Sequence, residues 1–300
     1  MSRFINFFDF LPIMQKIAVV ASSTDPAGIN IRNKVIELPG FEKLNEKFDG
    51  TDVFECNNIK NKNVRLYLVK SDLIFSESLD KKIDADVFIF ASKHRSKENT
   101  PSFAVHSIGN WGKAESGGKE KVLCPSSPFL QKDLFLRLNK FGSDSSYEIT
   151  LEATHHGPFM EKPSVFVEVG STEKEWNDEG NGKLIAKTIM DALNSDETAY
   201  KAAIGIGGPH YCNNFNKIAL RTDIAMSHVC PKHSLESLDL ELIMQSIEKT
   251  TGKADFILLD WKGLGAHKQK VLGLIKSMGI EFKRTDHVLG AAEKNGKTMA

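Results

Sequence analysis

The chain has 300 residues, and its 39 lysines and arginines are balanced by 39 aspartates and glutamates. Hydrophobic residues make up 41% and charged residues 26%, which is typical of a globular protein and excludes a mainly disordered chain. The zero net charge excludes a protein that coats nucleic acid non-specifically, because such proteins are strongly basic. It leaves open a local basic patch that binds RNA.

The first thirteen residues are apolar but interrupted. Asn6, Asp9 and Pro12 break the run, which is too short for a signal peptide and has no small-residue cleavage site. No run in the chain approaches the 18 apolar residues of a membrane-spanning helix, so we expect no membrane association. We expect 1–13 to be an unstructured extension and 14–300 a single α/β catalytic domain, which allows a subdivision near 142–146.

Ten short apolar runs, rich in valine, isoleucine and phenylalanine, predict β-strands. Several of them, including residues 87–91, are apolar throughout, as is typical of strands with both faces buried in a parallel sheet. The predicted strands cover residues 16–22, 64–70, 86–92, 102–107, 147–155, 164–169, 201–206, 224–229, 255–260 and 280–284.

Apolar residues at helical spacing alternate with these strands. They predict helices over 128–141, 182–193, 235–250 and 267–278, and the polar stretches 109–121 and 171–182 predict long loops. Alternating strands and helices predict an α/β fold, with a mostly parallel or mixed sheet flanked by helices.

Four cysteines show no CxxC spacing, and a chain of this length needs no disulfide bonds. They indicate a reduced, intracellular protein. The pairs His210 with Cys212 and His228 with Cys230 place two metal-binding side chains on one face of a strand, but their spacing fits no standard zinc motif. We interpret the cysteines as core residues and His210 as the better ligand candidate.

Histidines concentrate at or just past the carboxyl ends of predicted strands. Open α/β sheets collect ligands and catalytic groups at that edge. We therefore expect the imidazoles to meet a carboxylate in one pocket along one rim of the sheet. The histidines in question are His94, His106, His155, His156, His210 and His228.

The run from Glu152 to Pro158 carries the strongest signal. His155 and His156 can share a site only if the strand ends between them, and Gly157-Pro158 supplies that ending. One imidazole could bind a metal or take a proton from water while the other orients the substrate. The alternative is a pair of surface histidines that cap a strand end.

Glu168 lies inside an apolar strand, where a carboxylate is costly unless it is paired or binds a metal. It could be a metal ligand, a general base or the partner of a metal-bound histidine. An ordinary salt bridge to a lysine or arginine is an equally good explanation.

Two polar segments follow central strands. Residues 92–96 supply Lys93, His94, Arg95 and Ser96, and residues 106–110 supply His106 and Asn110. The alternative to a functional role is ordinary loop chemistry. A set of cations in and beside these segments could contact a phosphate backbone. For any one of them, a solvent-exposed side chain without a binding role is the alternative. These cations are Lys93, Arg95, Lys97, Lys113, Lys119 and Lys121.

Two further strand ends carry candidate groups. Gly207-Gly208 precedes His210, and Asp260 and Lys262 follow a buried strand. The last two residues form either an active-site pair or a simple turn. The backbone near the glycines, or the Lys93 cation, could stabilise an oxyanion.

Seven segments in this order resemble the archaeal- and plant-type D-aminoacyl-tRNA deacylase family, from about Lys16 to about His287. They are Ser22–Gly28, Ser92–Ser96, His106–Asn110, Ala153–Pro158, Glu168–Thr172, Gly205–Tyr211 and Asp260–Gly263. Residues 1–13 lie outside the resemblance, which makes Met14 the start that corresponds to the family.

The resemblance implies a monomeric, zinc-dependent hydrolase of the cytoplasm, with a fold similar to peptidyl-tRNA hydrolase and phosphorylase-type proteins. It implies cleavage of the ester that joins a D-amino acid, or mischarged glycine, to the 3′ end of tRNA, with one zinc ion or two. We predict three groups of site residues: His155, His156, His106 and Lys93 as catalytic; His94, His210 and Glu168 as metal ligands; and Arg95, Ser96, Asn110, Gly207, Gly208, Asp260 and Lys262 as contacts to tRNA and substrate.

Two other functions remain open on the sequence. One is a zinc-dependent hydrolase of a small peptide or amide, which would show none of the salt dependence of an RNA-binding enzyme. The other is a non-catalytic RNA-binding module, which would keep its function without His155 and His156.

Overall fold

The structure is a computed structural model that describes residues 14–196 and 198–294, so the predicted extension over 1–13 lies outside the described residues. The described chain is a mixed α/β protein. Its strands are β1 (Gln15–Ser22), β2 (Glu42–Phe48), β3 (Thr51–Ile59), β4 (Lys62–Val69), β5 (Val87–His94), β6 (Ser102–His106), β7 (Glu148–Leu151), β8 (Ser164–Gly170), β9 (Lys201–Ile206), β10 (Ile224–Cys230), β11 (Phe256–Leu259) and β12 (Phe282–Arg284).

Helices connect most of these strands. They are α1 (Pro26–Ile36), α2 (Pro128–Phe141), α3 (Glu173–Asn177), α4 (Glu179–Leu193), α5 (Asn213–Arg221), α6 (Leu240–Glu248), α7 (Lys268–Ser277) and α8 (Thr285–Lys294). Within residues 14–196 and 198–294, no helix is long and apolar enough to cross a membrane.

The strands form two sheets. The larger has the order β2-β3-β4-β1-β5-β8-β6-β7, and the smaller has the order β10-β9-β11-β12 and is parallel throughout. In the larger sheet, β4, β1, β5 and β8 are parallel, whereas β6 and β7 run together in the opposite direction to β8. The predicted α/β fold with a mixed sheet and flanking helices is confirmed.

The centre of the large sheet is buried on both faces, which explains its continuous apolar runs. Ile89 and Ala91 of β5 join the core under α1, α2 and α4, whereas Phe88 and Phe90 face the opposite side. Irregular segments around Leu73 and Met160 cover only part of that opposite face, where a cavity also opens. We call this side of the sheet the open face, and it carries the candidate site.

The two sheets share one core. Helix α2 packs against both α4 and β10, and one apolar cluster includes Val167 of the large sheet together with Met226 and Leu258 of the small sheet. The other side of the small sheet packs against α6 and α7 through residues such as Leu242 and Ile275. The subdivision considered near 142–146 would fall between α2 and β7.

Several predicted boundaries differ from the structure. Strands β2 and β3 and helices α1, α5 and α8 were not predicted. The stretch 171–182, predicted as a loop, instead contains α3 and the start of α4. The local reason lies in its polar residues, because Thr172 and Glu175 form a capping box and the Asp178 side chain caps α4. Their side chains accept hydrogen bonds from the free backbone N–H groups at the helix ends, so the polar stretch marks helix starts rather than a loop.

The four cysteines are all free and buried, as expected of core residues. Cys56 and Cys212 lie in the shared core, and Cys124 and Cys230 lie in the two flanking apolar clusters. Burial raises the pKa of the Cys212 thiol and raises that of Cys124 to about 11. Both thiols therefore stay protonated and unreactive near neutral pH.

One lysine of α2 is buried between the two sheets. Lys132 is 1% exposed, and its Nζ donates hydrogen bonds to the carbonyl oxygens of Thr222 (2.6 Å) and Ile224 (2.9 Å). Burial disfavours its charged form and lowers the pKa of Lys132 to about 8, from an ordinary value of 10.5.

This lysine should make stability depend on alkaline pH. Between about pH 8 and 10.5 the unfolded chain binds more protons than the folded one at this residue, so the free energy of unfolding rises with pH there, by up to about 3 kcal/mol. Urea unfolding of wild type and Lys132→Met across this pH range gives the two free energies of unfolding, and their difference at each pH measures the contribution of Lys132. Lys140→Met, an exposed lysine of the same helix, should show no such pH-dependent difference from wild type; parallel curves for Lys132→Met would contradict the prediction.

Candidate metal and catalytic site

Strand register places the site over the open face rather than along one rim of the sheet. His94, at the carboxyl end of β5, pairs with Gly170 at the carboxyl end of β8. His106, at the carboxyl end of β6, pairs instead with Phe166, because β6 runs antiparallel to β8. The expectation of a single rim was therefore wrong in its geometry, although the side chains do converge.

Glu168 lies between two of these imidazoles. Its Oε2 is 3.4 Å from His94 Nδ1 and 3.8 Å from His106 Nε2. Burial alone would raise the pKa of this carboxyl, but its contacts with His106 and His94 outweigh burial and hold that pKa well below its usual range. Histidines rather than a lysine or arginine are thus the partners of Glu168.

The two imidazoles respond to the same carboxylates. Burial disfavours the charged form of His94, but Glu168 and Glu152 outweigh it and raise the pKa of His94 to about 9. The buried His106 shows the same balance, and its pKa is raised by Glu168 and Glu152. The two carboxylates therefore favour the charged form of both rings, against the effect of burial.

The segment that follows β7 joins the two sheets and brings His210 into the site. The backbone N–H of Ala153 donates to the carbonyl oxygen of His210 (2.8 Å), and that of Thr154 donates to Val229 (3.0 Å). The predicted strand 147–155 therefore ends early, at Leu151, because Ala153 and Thr154 bond to residues in and beside the small sheet. This crossing places the rings of His155 and His210 with their centres 4.6 Å apart.

His155 and His156 do share one site, as their sequence predicts. His156 adopts a left-handed backbone (φ 48°), which histidine tolerates better than most residues. The two ring centres lie 4.3 Å apart, and each also packs against His106 at 4.2 and 4.8 Å. The alternative of two capping histidines at a surface strand end does not describe them.

Backbone contacts set the tautomers of these rings. Nδ1–H of His155 donates to the carbonyl oxygen of Ala153 (2.7 Å), and that of His156 donates to Gly157 (2.6 Å). Nε2 is therefore the basic nitrogen of both rings. Burial, followed by the neighbouring histidines, lowers the pKa of His155 well below its usual range and that of His156 to about 4.

Glu152 is the central carboxylate of the site, and the sequence analysis gave it no role. Its Oε1 lies 3.3 Å from His94 Nδ1, and its Oε2 lies 3.4 Å from His210 Nε2 and 3.7 Å from His155 Nε2. Its side chain is fully buried, yet neither oxygen makes a hydrogen bond within residues 14–196 and 198–294. The signal that could have found it is its position beside the histidine pair.

These side chains form three groups that can hold a metal ion. In each group the ligand atoms lie within 4.8 Å of one another. The groups are His106 with His155 and His156, Glu152 with His155 and His210, and His94 with Glu152 and Glu168. The predicted ligands His94 and Glu168 thus belong to one group and His210 to another, and Glu152 joins the two.

The donor chemistry fits zinc. Imidazole nitrogen and carboxylate oxygen are common zinc ligands, and two histidines with one glutamate make a known catalytic set. Besides the two oxygens of Glu152, Nε2 of His106 is buried without a hydrogen-bond partner in the described chain. Buried polar atoms of this kind are costly unless a ligand satisfies them, so the arrangement suits a bound cation.

A cavity of about 370 Å³ opens above these residues. Lys93 and Arg95 line it together with His94, His155, His156, Glu168, His210 and Tyr211. Arg95 is exposed, and its guanidinium carbon lies 5.0 Å from the centre of the Trp176 ring. Neither cation has an ion-pair partner in the part of the chain that the structure describes.

Asp25, which the sequence analysis also left without a role, fixes the end of β5 at this cavity. Its carboxylate accepts hydrogen bonds from the N–H of Gly28 (3.0 Å), the N–H of Lys93 (2.9 Å) and the hydroxyl of Ser92 (3.1 Å). A Cβ at Gly28 would lie 2.7 Å from the carbonyl oxygen of Ala91, so only glycine allows this approach of α1 to β5. Asp25 therefore positions Lys93 and its neighbour His94.

The remaining predicted contacts lie around the site rather than in it. Asn110 is buried in the 109–121 loop, where its amide donates to the carbonyl oxygens of Gly117 and Lys119. Ser96 contacts the hydroxyl of Ser171 (3.0 Å) beside Arg95.

The glycine pair and Asp260 hold a turn of the small sheet. The N–H of Gly207 donates to the carbonyl oxygen of Cys230 (2.8 Å), so it is not free to bind an oxyanion. A Cβ on Gly208 would lie 2.9 Å from Asp260, whose carboxylate accepts hydrogen bonds from Asn214 and from the N–H of Gly263. Lys262 is exposed beside this turn.

His228 stays apart from the cluster. Its fully buried ring contacts Thr154 Oγ1 at 3.3 Å and lies 6.5 Å from the Trp111 ring, centre to centre. Burial lowers the pKa of His228 to about 3. It is a neutral core histidine, although it follows the same strand-end pattern as the other five.

Known proteins are similar in sequence to this chain over most of its length. A family model described as D-aminoacyl-tRNA deacylase matches residues 81–283. The D-aminoacyl-tRNA deacylase of Thermococcus onnurineus (strain NA1) is 39% identical over 276 residues, covering 89% of this chain and 98% of that protein. The protein of the same name from Pyrococcus furiosus is 37% identical over 272 residues, covering 88% and 98%.

A solved structure shares the fold. A crystal structure described as a conserved protein of unknown function, AF0625, superposes with a TM-score of 0.84 and 30% sequence identity, covering 92% of this chain and 97% of its own. The resemblance drawn from the seven sequence segments is thus confirmed by a family model and by relatives matched over nearly their full length. The chain belongs to the D-aminoacyl-tRNA deacylase family.

Proposed function

We propose that this protein hydrolyses the ester bond of D-aminoacyl-tRNA and releases the free D-amino acid and tRNA. The observation that carries the proposal is the convergence of five imidazoles with Glu152 and Glu168 below a cavity of about 370 Å³. The family membership supplies the substrate class, because relatives bear the name D-aminoacyl-tRNA deacylase. The proposal extends to mischarged glycyl-tRNA. Glycine has no side chain, so a site that excludes the side chain of an L-amino acid would still admit it.

Zinc is the proposed cofactor, as one ion or two. Glu152, His155 and His210 would hold one ion, and His94 and Glu168 would hold a second that shares Glu152. When bound, zinc supplies a water of near-neutral pKa and polarises a carbonyl oxygen. The support for this assignment is the donor set and the two unpartnered oxygens of Glu152.

The chain's own residues would then position the ester and move protons. His156 lines the cavity, and its unprotonated Nε2 would accept the proton of the attacking water. Water oxygen adds to the ester carbonyl carbon, the bond to the ribose oxygen breaks, and His156 Nε2 returns its proton to that oxygen. Lys93 also lines the cavity and would face the negative charge on the carbonyl oxygen.

The cations at the cavity mouth support tRNA as the partner. Lys93, Arg95 and Lys97 follow one another at the end of β5, and none has an ion-pair partner among the residues described. The guanidinium of Arg95, held against Trp176, could bind a phosphate of the 3′ end in a bidentate manner. Asn110, Asp260 and Lys262 would act indirectly or at the periphery of this contact.

We also propose that the protein works as a monomer in the cytoplasm. The cluster is complete within one chain, so no second copy is needed to supply a ligand. Four free cysteines suit a reducing compartment. Sedimentation of the purified protein at micromolar concentration tests the oligomeric state.

The direct test compares D- and L-tyrosyl-tRNA as substrates. We expect hydrolysis of the D-ester to exceed that of the L-ester by at least 10-fold, since one contact that excludes the wrong side-chain direction is worth about 1.4 kcal/mol or more. Equal rates would refute chiral discrimination, and binding without turnover would favour the non-catalytic RNA-binding module.

Metal removal tests the cofactor separately. Dialysis against a chelator should abolish most of the hydrolysis, and added zinc should restore it. Full activity of protein shown by mass spectrometry to be free of metal would contradict the zinc proposal while leaving the hydrolase proposal intact.

Salt dependence separates tRNA from a small substrate. If about three cations meet phosphates, the logarithm of kcat/KM should fall with the logarithm of salt concentration with a slope of about −2. The matched control is D-tyrosyl-adenosine, which carries the same ester without the phosphate backbone and should show almost no slope. Similar slopes for both substrates would favour the small peptide or amide hydrolase.

A further inference from the structure

A second, smaller pocket opens beside the catalytic cavity. It has a volume of about 160 Å³, and His94 and Tyr211 line both spaces. We call it the side pocket; Ser102, Glu98 and Glu148 are among its other lining residues. A group bound there would lie next to whatever the imidazole cluster holds.

The side pocket has a negative lining. Glu98 and Glu148 face it, and no lysine or arginine of the described residues lines it. Neither carboxylate has an ion-pair partner in residues 14–196 and 198–294. Such a pocket favours a cation and disfavours phosphate.

Ser102 supplies an independent sign of a missing ligand. The residue is only 6% exposed, and its hydroxyl has no hydrogen-bond partner in the described chain. Strand alternation puts its side chain on the same face as His106, four residues later, and the register sets it opposite Glu148. A buried hydroxyl without a partner is unusual in a folded protein, so an incoming hydrogen-bond donor would satisfy it.

We propose that the side pocket binds the α-ammonium group of the aminoacyl ester. This inference rests on the proposed function, because that substrate carries an ammonium group one carbon away from the ester carbonyl. The three N–H donors of the ammonium would meet the Ser102 hydroxyl and the carboxylates of Glu98 and Glu148. His94, which lines both spaces, has its Nδ1 turned to Glu152 and Glu168.

This anchor gives the site a means of reading chirality. With the ester carbonyl at the imidazole cluster and the ammonium in the side pocket, two of the groups on the α-carbon are fixed. The hydrogen and the side chain then exchange places between the two enantiomers, so one enantiomer alone can direct its side chain into open space. Loss of the anchor should therefore reduce discrimination between D- and L-esters as well as affinity.

The decisive experiment removes the amine from the ligand and the acceptors from the protein. Non-hydrolysable amide analogues, 3′-linked D-tyrosyl-aminoadenosine and its desamino counterpart, are titrated against wild type, the Glu98→Gln/Glu148→Gln variant and Ser102→Ala. Wild type should bind the amine analogue about 10- to 100-fold more tightly than the desamino analogue. The double variant should lose that preference, because its affinity for the amine analogue falls while its affinity for the desamino analogue stays the same. Ser102→Ala should lose part of the preference.

Kinetics provide the second readout and the control. On D-tyrosyl-tRNA the double variant should show a lower kcat/KM and a smaller D-to-L ratio, whereas Glu161→Gln, an exposed carboxylate paired with Lys81, should match wild type. Equal wild-type affinity for the two analogues, or a preference that survives in the double variant, would overturn the amine pocket even if hydrolysis is normal. Absence of hydrolysis in wild type would instead refute the proposed function, and the binding result would still decide whether the pocket holds an amine.

Discussion

Glu152→Gln should lower kcat/KM on D-tyrosyl-tRNA by about 10³-fold and reduce the zinc bound per chain. The reason is geometric, because the two oxygens of Glu152 face different imidazoles: His94 on one side, and His155 and His210 on the other. Glutamine keeps the shape of the side chain but removes its charge and one acceptor oxygen. A loss of several kcal/mol of metal-dependent stabilisation corresponds to a rate effect of this size.

Three measurements make the Glu152 prediction specific. Steady-state kinetics give the rate, mass spectrometry of metals gives the zinc content, and thermal unfolding shows whether the variant folds. Glu161→Gln, an exposed carboxylate that pairs with Lys81, is the matched control and should change none of them. A folded Glu152→Gln protein with wild-type rate and zinc content would remove Glu152 from the site.

His155→Ala should lower kcat by about 10²- to 10⁴-fold, because it removes a proposed zinc ligand, and a loss of several kcal/mol of metal-dependent stabilisation corresponds to a rate effect of this size. His155 belongs to two of the three groups that can hold a metal, and its ring packs against those of His106, His156 and His210. The hydrogen bond from its Nδ1–H to Ala153 fixes the ring, so the backbone already orients Nε2 before substrate arrives.

The control for the imidazole is His287→Ala, an exposed histidine of α8. It should keep the wild-type rate. Added imidazole should partly restore His155→Ala by entering the space that the missing ring leaves, a recovery that a misfolded variant would not show. Wild-type rates for both His155→Ala and His156→Ala would place the chemistry elsewhere in the molecule.

Much of the fold is visible in the sequence because burial on both faces leaves a local record. Strands β5, β8 and β10 are buried along nearly all of their length and consist mostly of apolar residues. Helix α2 begins after Ser127 and ends before Gly142, as its pattern predicts. Strand β2 has no buried residue and therefore leaves no apolar run. The edge hairpin of β2 and β3 is held by backbone pairing between its two strands and from β3 to β4, which a side-chain pattern does not report.

The candidate site likewise contains some residues that the local sequence reveals and others that only tertiary contacts reveal. The histidine pair before Gly157 and the isolated Glu168 stand out by residue type and position, so their recruitment could be predicted. Position beside the histidine pair was the only sequence signal for Glu152, because its burial depends on the segment after β7 crossing to the small sheet. The single-rim expectation was wrong because nothing local to β6 shows that it runs antiparallel to β8.

The sequence by itself determined the α/β class, most strand positions, the family and the identity of six of the seven polar residues that converge. Only the tertiary structure decided that Glu152 joins His94 to His210, that His228 stays in the core, and that Gly207 has already used its N–H. The physical reason is that residue type fixes what a side chain can do, whereas strand direction and the docking of two sheets fix which side chains meet.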